Sequence, residues 1–417
     1  TTGVQNTLIG GTAGDALTVG SYNVSIGRES LSSDTLGSKS VGVGNGTLYA
    51  QNFTTATDVY NTAVGHQAGV SVTTGVQNTL IGALAGDALT DADHNVAVGL
   101  NALTSDTLGS KSTAIGTGAL GTQNFTSATN VYNTAVGYDA GVAVTTGINN
   151  TFIGGLAGDA VTTASYSVAV GQGAATNTTT SSQGFTAVGA DSLFTNTTGT
   201  DNVAVGRASM YSNTTGSNNA AVGRSALQAN TTGHSNVGVG KDALKATTTG
   251  SNHTAVGLGA LDANTTSAAN SAFGRDALGA NTTGNDNTGL GYAALFSNTT
   301  ASNNVAVGYK SLYLNTTGAD NVAVGKNALT ASTTAAHNVG IGADSLERNT
   351  TGTANTAVGT TSLGSNTTAS NNTAVGRSAL GANTTGANNT AVGHISLTTN
   401  TTGAQNTAVG RNSLAAN

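Results

Sequence analysis

The chain has 417 residues, a net charge of −6 with only 8% charged residues, 59 glycines, and no proline, cysteine or tryptophan. A disulfide scaffold is excluded by the missing cysteines, no basic stripe points to nucleic acid, and no apolar run approaches the roughly 20 residues that span a bilayer. The absence of proline, against a usual share of about 5%, suits a chain that needs every backbone N–H for a hydrogen-bonded ladder.

Taken from the N-terminus, a short β-prone phrase ends first at Ile9-Gly10, and its glycine returns at Gly27, Gly44, Gly65, Gly82, Gly99, Gly116, Gly137, Gly154 and Gly171. The steps are 17 residues, except for two of 21, from Gly44 to Gly65 and from Gly116 to Gly137. "TTGVQNTLIG" at 1–10 returns at 73–82 and as "TTGINNTFIG" at 145–154, so residues 1–171 form a four-unit super-repeat of 72 residues. After one step of 18 to Gly189 the glycine recurs every 17 residues up to Gly410, which makes 172–417 a plain array and gives 24 units in all. A fixed short period decides the architecture before local propensity does.

Positions within a unit are counted from this anchor glycine. Position −1 is apolar in every unit, from Ile9 to Val409, and −3 is Thr or Val in most, so the two share one face of a strand. Position −2 is Ala, Gly or Ser in 21 of 24 units, the exceptions being Leu8, Leu80 and Phe152. Position +4 is Leu in 13 of the last 14 units and Met210 in the other. The expectation is that −1 and +4 meet inside the coil, leaving −2 as an outer column kept small for a partner. Ala323, Ala357, Ala374, Ala391 and Ala408 represent this candidate oligomer interface. Asn-Thr-Thr-Gly at +7 to +10 is turn chemistry. One unit therefore reads as strand, glycine bend, second strand and corner. The expected fold is all-β, one continuous parallel β-solenoid of 24 coils of about 17 residues, with a rise of ~4.8 Å per coil and a length on the order of 115 Å. A helix does not tolerate this much glycine, and a disordered spacer has no reason to keep the −1 register.

"YSVAVGQGA" (166–174), "NSAFGRDAL" (270–278) and the phrase "NTAVGRSALGANTTGANNTAVG" resemble the YadA-like head repeats of trimeric autotransporter adhesins and the repeat arrays of bacteriophage tail fibres. The resemblance implies a left-handed parallel β-roll, a homotrimer, and a role as fibre shaft or adhesive head on a cell surface or virion. The partners it implies are further copies of the chain and a host-surface glycan or protein.

Nothing in the pattern nominates an enzyme, cofactor or metal site: the 19 acids are dispersed and the six histidines do not cluster. Neither nucleic-acid binding nor membrane insertion of this segment is expected. Eight of the 13 basic residues fall at +1, among them Arg207, Arg224 and Arg275, and read as a solvated edge. The candidate receptor or glycan contacts are aromatic. Tyr49, Phe194, Tyr211, Phe296 and Tyr313 occupy +5, while Phe53, Tyr60, Phe125 and Tyr132 lie in the two longer coils, where irregular loops on a rigid scaffold carry recognition. Asn196, Asn213, Asn230, Asn383 and Asn400 also match the N-glycosylation sequon, for which turn chemistry is the preferred reading. The alternative function is a ligand array, binding polysaccharide or, through its Thr columns, ice.

Overall fold

β-Branched residues at −3 and −1 around a small −2 residue favour an extended backbone, and three-residue strands recur at this place from Thr7–Ile9 to Thr407–Val409. The computed structural model describes residues 2–179 and 184–415 and contains no helix among them. The chain forms two bodies, Thr1–Ala208 with Asn213–Thr215, and Ser209–Ser212 with Gly216–Asn417. In the first, strands from Thr7–Ile9 to Val203–Val205 pair parallel and in register, each with the strand one coil on, as in Thr134↔Thr151. In the second, strands from Ala220–Val222 to Thr407–Val409 do the same, as in Ala357↔Ala374. Each body is thus a parallel β-solenoid. In the first, the two longer coils add the short pairs Gly37–Ser38 with Thr57–Asp58 and Gly109–Ser110 with Thr129–Asn130.

Each strand ends at its anchor glycine because the chain must bend where coils touch. Gly325 has φ +137, and a Cβ there would lie 2.6 Å from the carbonyl carbon and oxygen of Gly342 in the next coil. The expected second strand does not form. The segment after the glycine is instead a run of turns with left-handed residues at +2 and +4, such as Asp242 (φ 59) and Leu244 (φ 53). The reversals aim successive N–H groups in opposite directions along the axis. Asp242 donates back to Arg224 O at 3.0 Å, and Leu244 donates forward to Ala260 O at 3.0 Å. The ladder continues without an extended backbone.

The inside and outside of the strand are the reverse of the expectation. Position −2 faces the core: Ala323, Ala357, Ala374 and Ala391 are fully buried and Ala408 is 3% exposed. These alanines are therefore core residues and do not offer an outer column to a partner. Position −1 is buried in no coil, and Phe273, Leu290 and Val375 are more than a third exposed. The interior is thin, and a Cβ at −2 already touches the +4 leucine of the preceding coil, as Gly340 shows by its 3.3 Å approach to Leu329. A valine pointing inward would overfill that space. Where −2 is large, +4 is glycine: Phe152 occupies the room that side chains at Gly141 and Gly158 would need, with ring atoms 2.7 and 2.8 Å from their Cβ positions. Leu80 stands in the same relation to Gly69 and Gly86.

Two buried asparagine columns close the polar accounts of this core. At −4, Asn321 Nδ2 donates to Ala335 O at 2.8 Å, and its Oδ1 accepts the backbone N–H of Asn338 at 3.0 Å. At +7, Asn298 Nδ2 donates to Asn281 Oδ1 at 2.8 Å and to Ala301 O at 3.0 Å. Both columns satisfy backbone groups that the corners would otherwise leave unpaired in the interior.

Candidate functional site

With −4, −2, +3, +4 and +7 directed inward, the surface includes the −3/−1 face, the +1, +2 and +5 columns, the second threonine of each corner, and the longer coils. The corner threonines divide their tasks. The first donates to the ladder, as Thr316 Oγ1 does to Thr333 O at 3.0 Å, and the second, Thr317, is exposed. The sequon asparagines lie in the buried +7 column: Asn196, Asn213, Asn230 and Asn383 are fully buried, and Asn400 nearly so. In the folded chain their amides are tied into the core and closed to a glycosyltransferase.

The longer coils split their aromatics between inside and outside. Phe53 and Phe125 are buried, which removes them from the candidate contacts. A polar knot holds each in place. Asp106 Oδ1 accepts the N–H of Phe125 at 3.0 Å and of Gly109 at 3.1 Å, Oδ2 accepts Gln123 Nε2 at 2.6 Å, and Gln123 Oε1 in turn accepts Asn133 Nδ2 at 2.9 Å. Burial pushes the Asp106 carboxyl above the ordinary carboxylate range, against the pull of these donors. The same knot recurs 72 residues earlier, where Gln51 Nε2 donates to Asp34 Oδ2 at 2.6 Å. Tyr60 and Tyr132 are half exposed. Lys39 Nζ lies 5.1 Å over the Tyr60 ring and donates to its hydroxyl at 3.0 Å, with the Asp58 carboxylate at 2.7 Å. The hydrogen bonds that Lys39 donates to Asp58 and Tyr60 hold its ammonium above its ordinary value. Lys111 covers Tyr132 at 5.3 Å, with Asn130 where the earlier coil has Asp58.

Of the +5 candidates, Tyr49 is exposed, while Phe194, Tyr211, Phe296 and Tyr313 are half-buried. Phe296 and Tyr313 stack with centroids 5.5 Å apart. Beside them lies a pair that sequence reasoning missed, Tyr292 and Tyr309 at +1, stacked at 5.4 Å. Its signal in the sequence is two tyrosines one 17-residue period apart in the column that otherwise carries the basic residues. Several +1 cations do pair with an acid at +2, Arg28 with Glu29 at 3.2 Å and Arg275 with Asp276 at 3.0 Å, as a solvated edge requires.

Titratable groups outside these columns are scattered. Burial raises the Asp159 and Asp262 carboxyls, with nearby Asp139, and Asp276 and Asp242, adding to the effect. An open groove of about 380 Å³ is lined by Asp344, Glu347 and Arg348 together with Gly364 and Gly381. Among the described residues no group of three His, Cys, Asp or Glu side chains could hold a metal ion, and no helix is long and apolar enough to cross a membrane. Compared with family models and with curated proteins, the chain matches none.

Proposed function

We propose that the chain is the shaft or adhesive head of a surface appendage, extracellular or on a virion, that acts without catalysis and assembles with copies of itself as a homotrimer. The observation that carries this is the outward −1 column. Soluble surfaces rarely leave a contiguous apolar strip open. Here Val, Ile, Leu or Phe occupies the position in every coil of both bodies, no charge interrupts it, and none of it is buried. A copy of the same chain has the matching period and offers the same strip, so each coil contributes an equal increment of contact. The interface assigned to the alanine column passes to this face.

Sedimentation of the full chain, with symmetry-free electron microscopy of the particles, tests the reading. Trimers are expected for the natural sequence. Val358→Asp with Val375→Asp and Val392→Asp is expected to give monomers whose circular dichroism is unchanged. A natural chain that stays monomeric at concentrations where fibres assemble overturns it.

A second reading draws support from the corner column. From Thr232 to Thr402 an exposed threonine recurs in eleven successive coils of the second body, a regular hydroxyl and methyl array of the kind that could order water. Thermal hysteresis at millimolar protein would favour this ice-binding role, and its absence would remove it.

A further inference from the structure

The second body concentrates rings and cations in a way that neither its core nor its apolar face uses. Four successive coils read Arg275, Tyr292, Tyr309 and Lys326 at +1. The stacked tyrosines are 42% and 47% exposed, with their planes 12° apart. The Arg275 guanidinium lies 5.9 Å over the Tyr292 ring. Lys310 joins this pair to the one beside it, 5.5 Å from the centre of Tyr309 and 5.1 Å from that of Tyr313. Among the described residues neither Lys310 nor Lys326 forms an ion pair, and Asp276 is the carboxylate held by Arg275.

We infer that this row binds an acidic polysaccharide laid along the coil axis, with sugar rings against the exposed edges and hydroxyls of the tyrosines and uronate carboxylates on Lys310 and Lys326. Three features select that ligand. The row repeats with the coil, over three steps of ~4.8 Å or about 14 Å, and a polymer of identical rings is the ligand that such a repeat can follow. Tyrosine supplies an apolar body together with a hydroxyl that can hydrogen-bond sugar. Arg275 and Lys310 are held over the rings, and Lys310 and Lys326 lack carboxylates of their own, which leaves an anionic group on the ligand to complete them. A nucleic-acid strand fits less well. Bases bind by stacking on ring faces, and here the rings are already stacked on each other at 5.4 and 5.5 Å, with no slot for a base. The inference rests on the adhesive side of the proposed function and names its ligand class, but it does not depend on assembly.

The test is binding of the full chain to fragments of polygalacturonate, alginate and hyaluronate, with dextran as the neutral control and oligothymidylate as the anionic one. Binding to at least one uronate polymer, weakening as salt rises, is expected. Tyr292→Ala with Tyr309→Ala, and separately Lys310→Gln, should each lower affinity by about tenfold or more, the scale of one or two such contacts. Tyr138→Ala, an exposed +1 tyrosine of the first body, should leave it unchanged, and all three variants should keep the natural circular dichroism. Failure to bind any of the three polymers, equal binding by the row variants, or preference for oligothymidylate overturns the inference. Sedimentation of the same samples separates the two readings: a monomer that binds through the row removes the trimer and keeps the site, whereas a trimer that binds nothing does the reverse.

Discussion

Oδ1 of Asn315 and Oγ of Ser332 occupy successive coils of one buried column, and neither has a hydrogen-bond partner. Around them the +7 ladder is continuous: Asn315 Nδ2 donates to Asn298 Oδ1 at 3.0 Å and Asn366 Nδ2 to Asn349 Oδ1 at 2.8 Å. Serine is too short to span the coil step. Ser332→Asn should supply a donor to Asn315 and an acceptor to Asn349, removing two orphaned atoms. Stability should rise by about 1–3 kcal/mol, read as a higher denaturant midpoint. A lower midpoint would mean that the column has no room for the amide.

The −4 ladder contains one titratable member. Nδ1 of His253 accepts the backbone N–H of Asn270 at 3.2 Å, and Nε2 lies 2.9 Å from Ser267 O, so the buried ring is neutral with its proton on Nε2. Burial lowers its pKa below the ordinary histidine value. With the folded pKa depressed, the unfolded chain binds more protons once pH falls below about 6.5. The stabilisation is therefore complete above that pH and declines below it, by up to about 1.4 kcal/mol per pH unit. His253→Asn restores the residue used at −4 in the adjoining coils, and it should flatten the stability profile between about pH 7.5 and 5.5. Parallel profiles for the two chains would show that His253 does not titrate with unfolding.

Large and small residues trade places across the coil, and the trade can be reversed experimentally. Phe152→Ala alone should cost about 3–5 kcal/mol through the cavity it opens. Gly158→Leu alone should cost about 1–3 kcal/mol, because Phe152 already fills that space. Gly158 has φ +61, close to the values at which leucine occupies +4 elsewhere, such as Leu193 (φ 52), so the backbone is no obstacle. Together the two substitutions convert the coil to the plain-array core and should lose less than the sum of the singles, a coupling that a double-mutant cycle measures. Strict additivity would show that the two positions do not share one space.

How much of this was legible depended on what kind of signal each column carried. The 17-residue step and the glycine at every bend specify the parallel in-register stack, because a Cβ beside the next coil's carbonyl is forbidden whatever else the coil contains. Alternation along Thr356–Val358 shows only that Ala357 opposes its neighbours, and it leaves open which side is inside. The unbroken apolar −1 column suggested a core, yet Val358 and its equivalents are the outer face. The deciding signal was the pairing of Leu80 and Phe152 with glycines at Gly86 and Gly158, which places −2 and +4 in one space. Phe53 and Phe125 read as loop aromatics because their burial depends on Asp34 with Gln51 and Asp106 with Gln123, pairs one period apart that are polar and so do not look like core.

The left-handed positions give the sharpest contrast between tolerated and forbidden change. At +2 the backbone sits near φ +55, and Asp, Asn, Ser, Lys and Ala all occur there, as at Asn327 (φ 54) and Lys310 (φ 50). Gly46, with φ +69 and no atom nearer its Cβ position than Gln67 Cγ at 3.5 Å, is such a site. Gly46→Asn should leave stability within about 1 kcal/mol, since asparagine accepts this conformation and narrows the unfolded ensemble. Gly325 differs on both counts, with φ +137 and backbone of the next coil 2.6 Å from the Cβ position. No side chain relieves a clash with a carbonyl that is itself part of the ladder, so Gly325→Ala should force the two coils apart. Hydrogen exchange should then show loss of protection centred on Val322–Val324 and Val339–Ile341, strands that are paired in register across that step, while coils several steps away stay protected because stacked repeats interact mainly with their neighbours. Unchanged protection in those two strands would mean that the anchor glycines are kept for a reason other than the contact between coils.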